Sequence, residues 1–176
     1  DAFTKENAGI AIVTTVSLFA AAAVAGAMLV NADIAPAPAL VTRYLAVDRM
    51  GLFFDVVITV GAGLSALLAG GYLREHGFER GEFYVLLIFT AFGAMVLARA
   101  VDLLSIFLGL ETMSLGAYAL VGYRRTSARA VEAAVKYFLL GSFAAAILLF
   151  GSALLYGATG HTDLAGIEQV VAAGEA

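Results

Sequence analysis

Long apolar runs separated by short polar stretches set the pattern of this chain. They occupy residues 9–30, 50–73, 83–98, 103–123 and 130–156. A helix of about 20 apolar residues crosses the hydrocarbon core of a bilayer, so each run reads as a membrane span. Pro36 and Pro38 lie between the first two and break any helix there. The polar stretch 74–82 separates the second from the third, a very short turn at 99–102 separates the third from the fourth, and 124–129 separates the last two. Beyond the fifth run, Leu164, Ile167, Val170 and Val171 recur at helical spacing and predict a short surface helix. No segment shows the alternation of about ten residues that marks a membrane β-strand. The expected fold is all-α, a polytopic transmembrane bundle of about five helices forming one membrane domain over residues 1–176.

Composition supports this. Of 176 residues, 62% are hydrophobic and 14% charged, against about 25% charged in a typical soluble domain. Too few polar groups exist to cover a water-facing surface, so lipid is the expected solvent. The net charge of −4 offers no basic stripe for nucleic acid. With no cysteine, disulfides, thiolate metal sites and iron–sulfur ligation within the chain are excluded. The two histidines, His76 and His161, stand at unrelated places and form no metal-ligand set. The first run is longer than the ~7–15 apolar residues of a secretory signal. A first residue Asp1, and an end soon after a span, lead us to expect a piece of a longer chain.

Basic residues in short loops orient such a bundle. Alternation puts Lys5, Arg74, Arg80, Arg124, Arg125 and Arg129 on one side and Arg43, Arg49 and Arg99 on the other. The richer side is expected to be cytoplasmic.

A charge in the bilayer centre costs about 3 kcal/mol or more and marks a functional position by default. Glu111 lies mid-way along the fourth span and Lys136 within the fifth. Counted from the 124–129 loop at 1.5 Å per residue, Glu111 is about 18 Å deep and Lys136 about 13–14 Å, so their levels differ by about 4–5 Å. That spacing permits an acid–base pair between neighbouring helices, with the rotation of each left open. Plainer readings stand beside it. Glu132 precedes Lys136 by four residues, the spacing of a local helix pair, and Lys136 could then snorkel to the interface. Glu111 could be a protonated carboxyl bonded inside the bundle. Asp55, near the start of its span, reads as interfacial and structural; Arg99 and Asp102 read as helix-end charges; His161 reads as a loop residue. Abundant glycines, among them Gly93, Gly116 and Gly141, argue for close helix packing.

The stretch from Asp102 to Tyr123 (DLLSIFLGLETMSLGAYALVGY), the Glu132-to-Ser142 stretch (EAAVKYFLLGS) and Leu154-to-Gly160 (LLYGATG) resemble the N subunit of respiratory complex I. The likeness covers roughly 48–160 and is strongest in the last two spans. It implies an antiporter-like membrane subunit of NADH:quinone oxidoreductase, in which proton transfer is coupled to quinone reduction elsewhere in the complex. Family members carry an intramembrane glutamate matching Glu111 and a lysine matching Lys136, so the resemblance assigns both to proton transfer. It implies no cofactor or metal on this chain, with NADH, flavin, iron–sulfur clusters and quinone on partner subunits. The implied partners are the other membrane and peripheral subunits and the lipid bilayer, with no nucleic acid. The implied location is the bacterial cytoplasmic (inner) membrane, crossed several times. Members have about fourteen helices, so five are expected to be only part of one. Two other readings fit the same spans: a subunit of a multisubunit cation/proton antiporter, and a purely structural helix scaffold.

Overall fold

The structure is a computed structural model that describes residues 2–31, 37–78 and 81–174, with side chains of the first helix described from Gly9 onward. Pro36 and Arg80, and the side chain of Lys5, used above for chain breaking and orientation, lie outside the described residues. Among the described residues seven helices follow in chain order: α1 Ala2–Asn31, α2 Ala39–Thr42, α3 Arg49–Glu75, α4 Glu82–Arg99, α5 Leu103–Val121, α6 Ala128–Thr159 and α7 Leu164–Ala173. Of these, α1, α3, α4, α5 and α6 are long and apolar enough to cross a membrane. The five expected spans are therefore present. The short α2, which Pro38 caps, and the earlier start of α1 were not expected from the pattern.

Polar side chains fix where helices begin. Asp48 Oδ1 accepts from Gly51 N at 2.7 Å, Asp102 Oδ1 from Leu104 N at 2.9 Å, and Asp163 Oδ2 from Gly166 N at 2.7 Å. Each satisfies an N–H that the first helical turn leaves without a partner. At the far end of α6, Gly160 takes the left-handed conformation, φ 71°, that closes a helix at low steric cost.

Packing runs along the chain: α1 on α3, α3 on α4, α4 on α5, α5 on α6, with α1 also touching α4. Leu18, Ala66 and Tyr84 form the core of the first three membrane helices, flanked by Ala11, Ala62, Phe83 and Leu87. The α4–α5 contact is closest. A Cβ on Gly93 would meet Met113 N at 2.2 Å, one on Gly109 would meet Leu97 N at 2.6 Å, and one on Gly116 would meet Thr90 Oγ1 at 2.3 Å. Only hydrogens fit between these two backbones, the arrangement by which helices gain dispersion energy in lipid. By contrast α6 buries Ala145 alone, and large apolar residues such as Leu140, Phe143 and Phe150 remain exposed along it.

The link between α4 and α5 differs from the turn expected. Residues 100–102 are extended and hydrogen-bonded on both sides. Ala46 N donates to Arg99 O at 2.7 Å and Val101 N to Tyr44 O at 3.1 Å; on the other side Leu103 N donates to Thr162 O at 2.8 Å and Leu164 N to Val101 O at 3.0 Å. Backbone polar groups at a membrane helix end need partners, and three converging links supply them to one another.

Candidate functional site

Glu111 sits near the middle of α5, half-buried. The direction it faces follows from its neighbours. Gly109, Met113 and Gly116 touch α4. Tyr118 and Gly122 touch α6: the Tyr118 hydroxyl reaches the place where a Cβ on Gly141 would lie, and a Cβ on Gly122 would be 2.9 Å from the Ala134 Cβ. Glu111, Tyr118 and Gly122 are spaced by seven and four residues, one face of a helix. Glu111 therefore belongs to the α6-facing side of α5, away from the tight α4 contact.

The same contacts locate Lys136. Ala134, Gly141 and Ala145 repeat the seven-and-four spacing and make the α5-facing stripe of α6. Lys136, two residues beyond Ala134, lies on the opposite face. Its ammonium binds Glu132 Oε1 at 2.5 Å, with 70% and 63% of the two side chains exposed. The local pair that the spacing of Glu132 and Lys136 allowed is thus formed, and among the described residues no ion pair joins Lys136 to Glu111. With Gly122 opposite Ala134 and the helices antiparallel, the residue opposite Glu111 is Ala145, which is 5% exposed. Lys136 is then about 13–14 Å from the level of Glu111, not the 4–5 Å obtained by assuming that both helices start together. The cause is overhang: α6 begins six residues before Ala134 and projects past the end of α5.

Sequence reasoning missed another charge pair. Asp55, read as interfacial, is 4% exposed. It forms an ion pair with Arg99, the last residue of α4, through Arg99 Nη2 and Asp55 Oδ2. Arg99 is a helix-end residue, as expected, but its side chain turns back into the bundle. The 44-residue separation carries no local signal. Asp102 is the helix-end charge expected of it, as the cap of α5. His161 is a loop residue whose Nδ1 lies 3.3 Å from Asp163 Oδ1. The Asp163 carboxyl is held below its usual 3.8, chiefly by the Gly166 N–H and further by His161.

The family model described as NADH:quinone oxidoreductase/Mrp antiporter, transmembrane, matches residues 100–176. Over these residues the chain is similar to this family of membrane subunits. Within it, the chain is 58% identical to NADH-quinone oxidoreductase subunit N 1 of Sorangium cellulosum over 167 residues, 94% of this chain and 33% of the relative. It is 41% identical to subunit N of Myxococcus xanthus over 161 residues, 92% of this chain and 30% of that one. Among solved structures, respiratory complex I from Thermus thermophilus with bound aureothin contains a chain that matches with a TM-score of 0.74 at 35% identity, covering 90% of this chain and 33% of that one. An archaeal membrane-bound sulfane sulfur reductase shares the fold, with a TM-score of 0.72 at 22% identity, covering 96% of this chain and 38% of its own. The chain spans about a third of the length of the curated relatives it matches.

Proposed function

We propose that this chain is part of a proton-translocating, antiporter-like membrane subunit of NADH:quinone oxidoreductase, coupling quinone reduction to proton movement. The observation that carries the reading is Glu111: an acid near the middle of a helix long and apolar enough to cross a membrane, on the side that faces a neighbouring helix, in a chain whose relatives are named subunit N. In a medium of low dielectric a carboxylate's protonation responds strongly to nearby charge, which suits it to take up and release a proton. Lys136 is the second relay group, nearer the loop at 124–129 and held there by Glu132. The Tyr118 hydroxyl, reaching Gly141, stands at a level between them. Direct contact between Glu111 and Lys136 is not part of the reading; transfer passes through intermediate groups. The chain itself carries no redox cofactor. NADH, flavin, iron–sulfur clusters and quinone belong to partner subunits, and the assembly lies in a bacterial inner membrane. A cation/proton antiporter subunit would use the same helices, but the relatives named here are quinone oxidoreductase subunits.

The test uses the assembled complex. Glu111→Gln keeps shape and removes the titratable charge, so NADH-driven proton translocation and NADH:quinone activity per assembled complex should both fall; Glu111→Asp should be milder. Lys136→Arg retains a cation that does not release its proton and should impair turnover if Lys136 relays protons. Normal values for both Glu111→Gln and Lys136→Ala would leave the two residues structural.

A further inference from the structure

Asp55 takes no part in the proton transfer assigned to Glu111 and Lys136. It lies six residues into α3, about 9 Å from its start, and is 4% exposed. One carboxylate oxygen, Oδ2, receives Arg99. The other, Oδ1, is buried with no hydrogen-bond partner among the described residues. The nearest hydroxyl on its own helix, Thr59 Oγ1, is committed to the Asp55 backbone carbonyl at 2.5 Å and not to the carboxylate. A buried acceptor left without a donor is destabilising, more so when it carries charge. A proton on Oδ1 would remove that destabilisation.

The surroundings of Asp55 differ on its two sides. Beyond Thr59, the buried face of α3 continues through Gly63, where an added Cβ would lie 3.2 Å from the Phe19 ring, and then Ala66 in the core with Leu18 and Tyr84. That stretch is an apolar plug toward the Arg74 end. In the other direction, Arg99 leads to Asp48 at the start of α3. Arg99 Cγ, Arg99 Nε and Asp48 Oδ1 all lie within 3.3 Å of one point, the place where a Cβ on Gly51 would stand. The missing side chain of Gly51 therefore makes room for Arg99 between two carboxylates.

We propose that Asp55 is a further proton-binding group of this membrane domain, served from the end where α3 begins, with Arg99 as its counter-ion. A proton arriving at Oδ1 forms an O–H bond and leaves the carboxyl neutral. Arg99 stays protonated, the charge of the pair rises from zero to plus one, and Asp48 is the second acceptor at hand. The other ionisable groups at this end are Asp48 and Arg49 at the start of α3, Arg43 and Tyr44 just before it, Arg99 on α4, Asp102 at the start of α5, and His161 and Asp163 in the link that pairs with it; residues 9–31 of α1 contain none.

The inference rests on the proton-translocating reading for its purpose, but not for its test. Dicyclohexylcarbodiimide adds to protonated carboxyls in apolar surroundings and leaves a stable N-acylurea. Full-length protein in its own membranes is treated across a range of pH, and the Asp55 peptide is read by mass spectrometry. The wild type should be labelled at Asp55, less so as pH rises. Arg99→Gln, which removes the counter-ion, should raise labelling about tenfold at fixed pH, and Arg99→Lys should return it toward wild type. Asp55 unlabelled at every pH, or labelled only in Arg99→Gln, would overturn the proposal and leave the pair a permanent brace. No NADH or quinone enters the assay. Failure of Glu111-dependent pumping therefore leaves this result standing, and absence of Asp55 labelling leaves the Glu111 reading standing.

Discussion

Replacing Gly93 by Ala tests the α4–α5 contact that fixes the rotation of α5. The new Cβ would lie 2.2 Å from Met113 N and 2.8 Å from both Met113 Cα and the Thr112 carbonyl carbon. The obstacle is backbone on another helix, so no side-chain rotation relieves it. Ordinary contact begins near 3.4 Å, so the helices must part by about 1 Å at this point, at the upper end of the 1–3 kcal/mol typical of overpacking. Parting also loosens Gly109 against Leu97 and Gly116 against Thr90, which lose dispersion contacts steeply with distance. Alanine's higher helix propensity offsets up to about 1 kcal/mol, leaving a net loss of about 2 kcal/mol, roughly 30-fold in the folded-to-unfolded ratio. Gly61→Ala and Gly151→Ala are the controls, since a Cβ at either position meets nothing within 4 Å. Their propensity gain should appear without the clash. The assay is graded SDS unfolding of the purified full-length subunit in mixed micelles, read by resistance to proteolysis. If Gly93→Ala unfolds at the same SDS fraction as the two controls, the close α4–α5 approach is not what holds this part of the bundle, and the reasoning fails.

Two further outcomes are expected. A cysteine replacing Thr126, in a chain that otherwise has none, should react with an impermeant maleimide from the cytoplasmic side only, as the basic flanks of that loop require; labelling from the other side would reverse the orientation. The Asp163 cap of α7 is depressed below 3.8 by the Gly166 N–H, so its stabilising contribution is complete above that value and is lost as acidification passes the lower, folded-state value. Amide exchange of α7 should therefore speed up under acid more than that of α5, once intrinsic rates are corrected for, and Asp163→Ala should remove the difference.

The number of spans, their approximate ends and the short α7 were legible in the sequence because they depend on local quantities. A run of apolar residues long enough to cross the hydrocarbon core must bond its own backbone, and a helix does so without reference to any neighbour. The place of Glu111 near the middle of α5 was legible for the same reason, since position along one helix is a residue count multiplied by a rise. The Glu132–Lys136 pair was legible too, being set by a four-residue spacing within α6.

Relations between helices were decided only in three dimensions. Gly122 resting on Ala134 sets α6 six residues ahead of α5, and that offset moved Lys136 away from the level of Glu111. Which face of α6 carries Lys136 depends on which small residues, Ala134, Gly141 and Ala145, accept α5. The extended link at 100–102 exists because loops distant in sequence bring it hydrogen-bond partners at 44–46 and 162–164. Asp55 gave the clearest divergence: near a span end it read as interfacial, yet Arg99 reaches it from the far end of the next membrane helix, in space left by Gly51. Hydrophobicity fixes how far each helix runs in the membrane, but it is indifferent to rotation and to relative height. Those are set by where small residues let two backbones meet and where a buried charge finds its counter-charge, and both depend on pairs of positions that no single stretch of sequence contains.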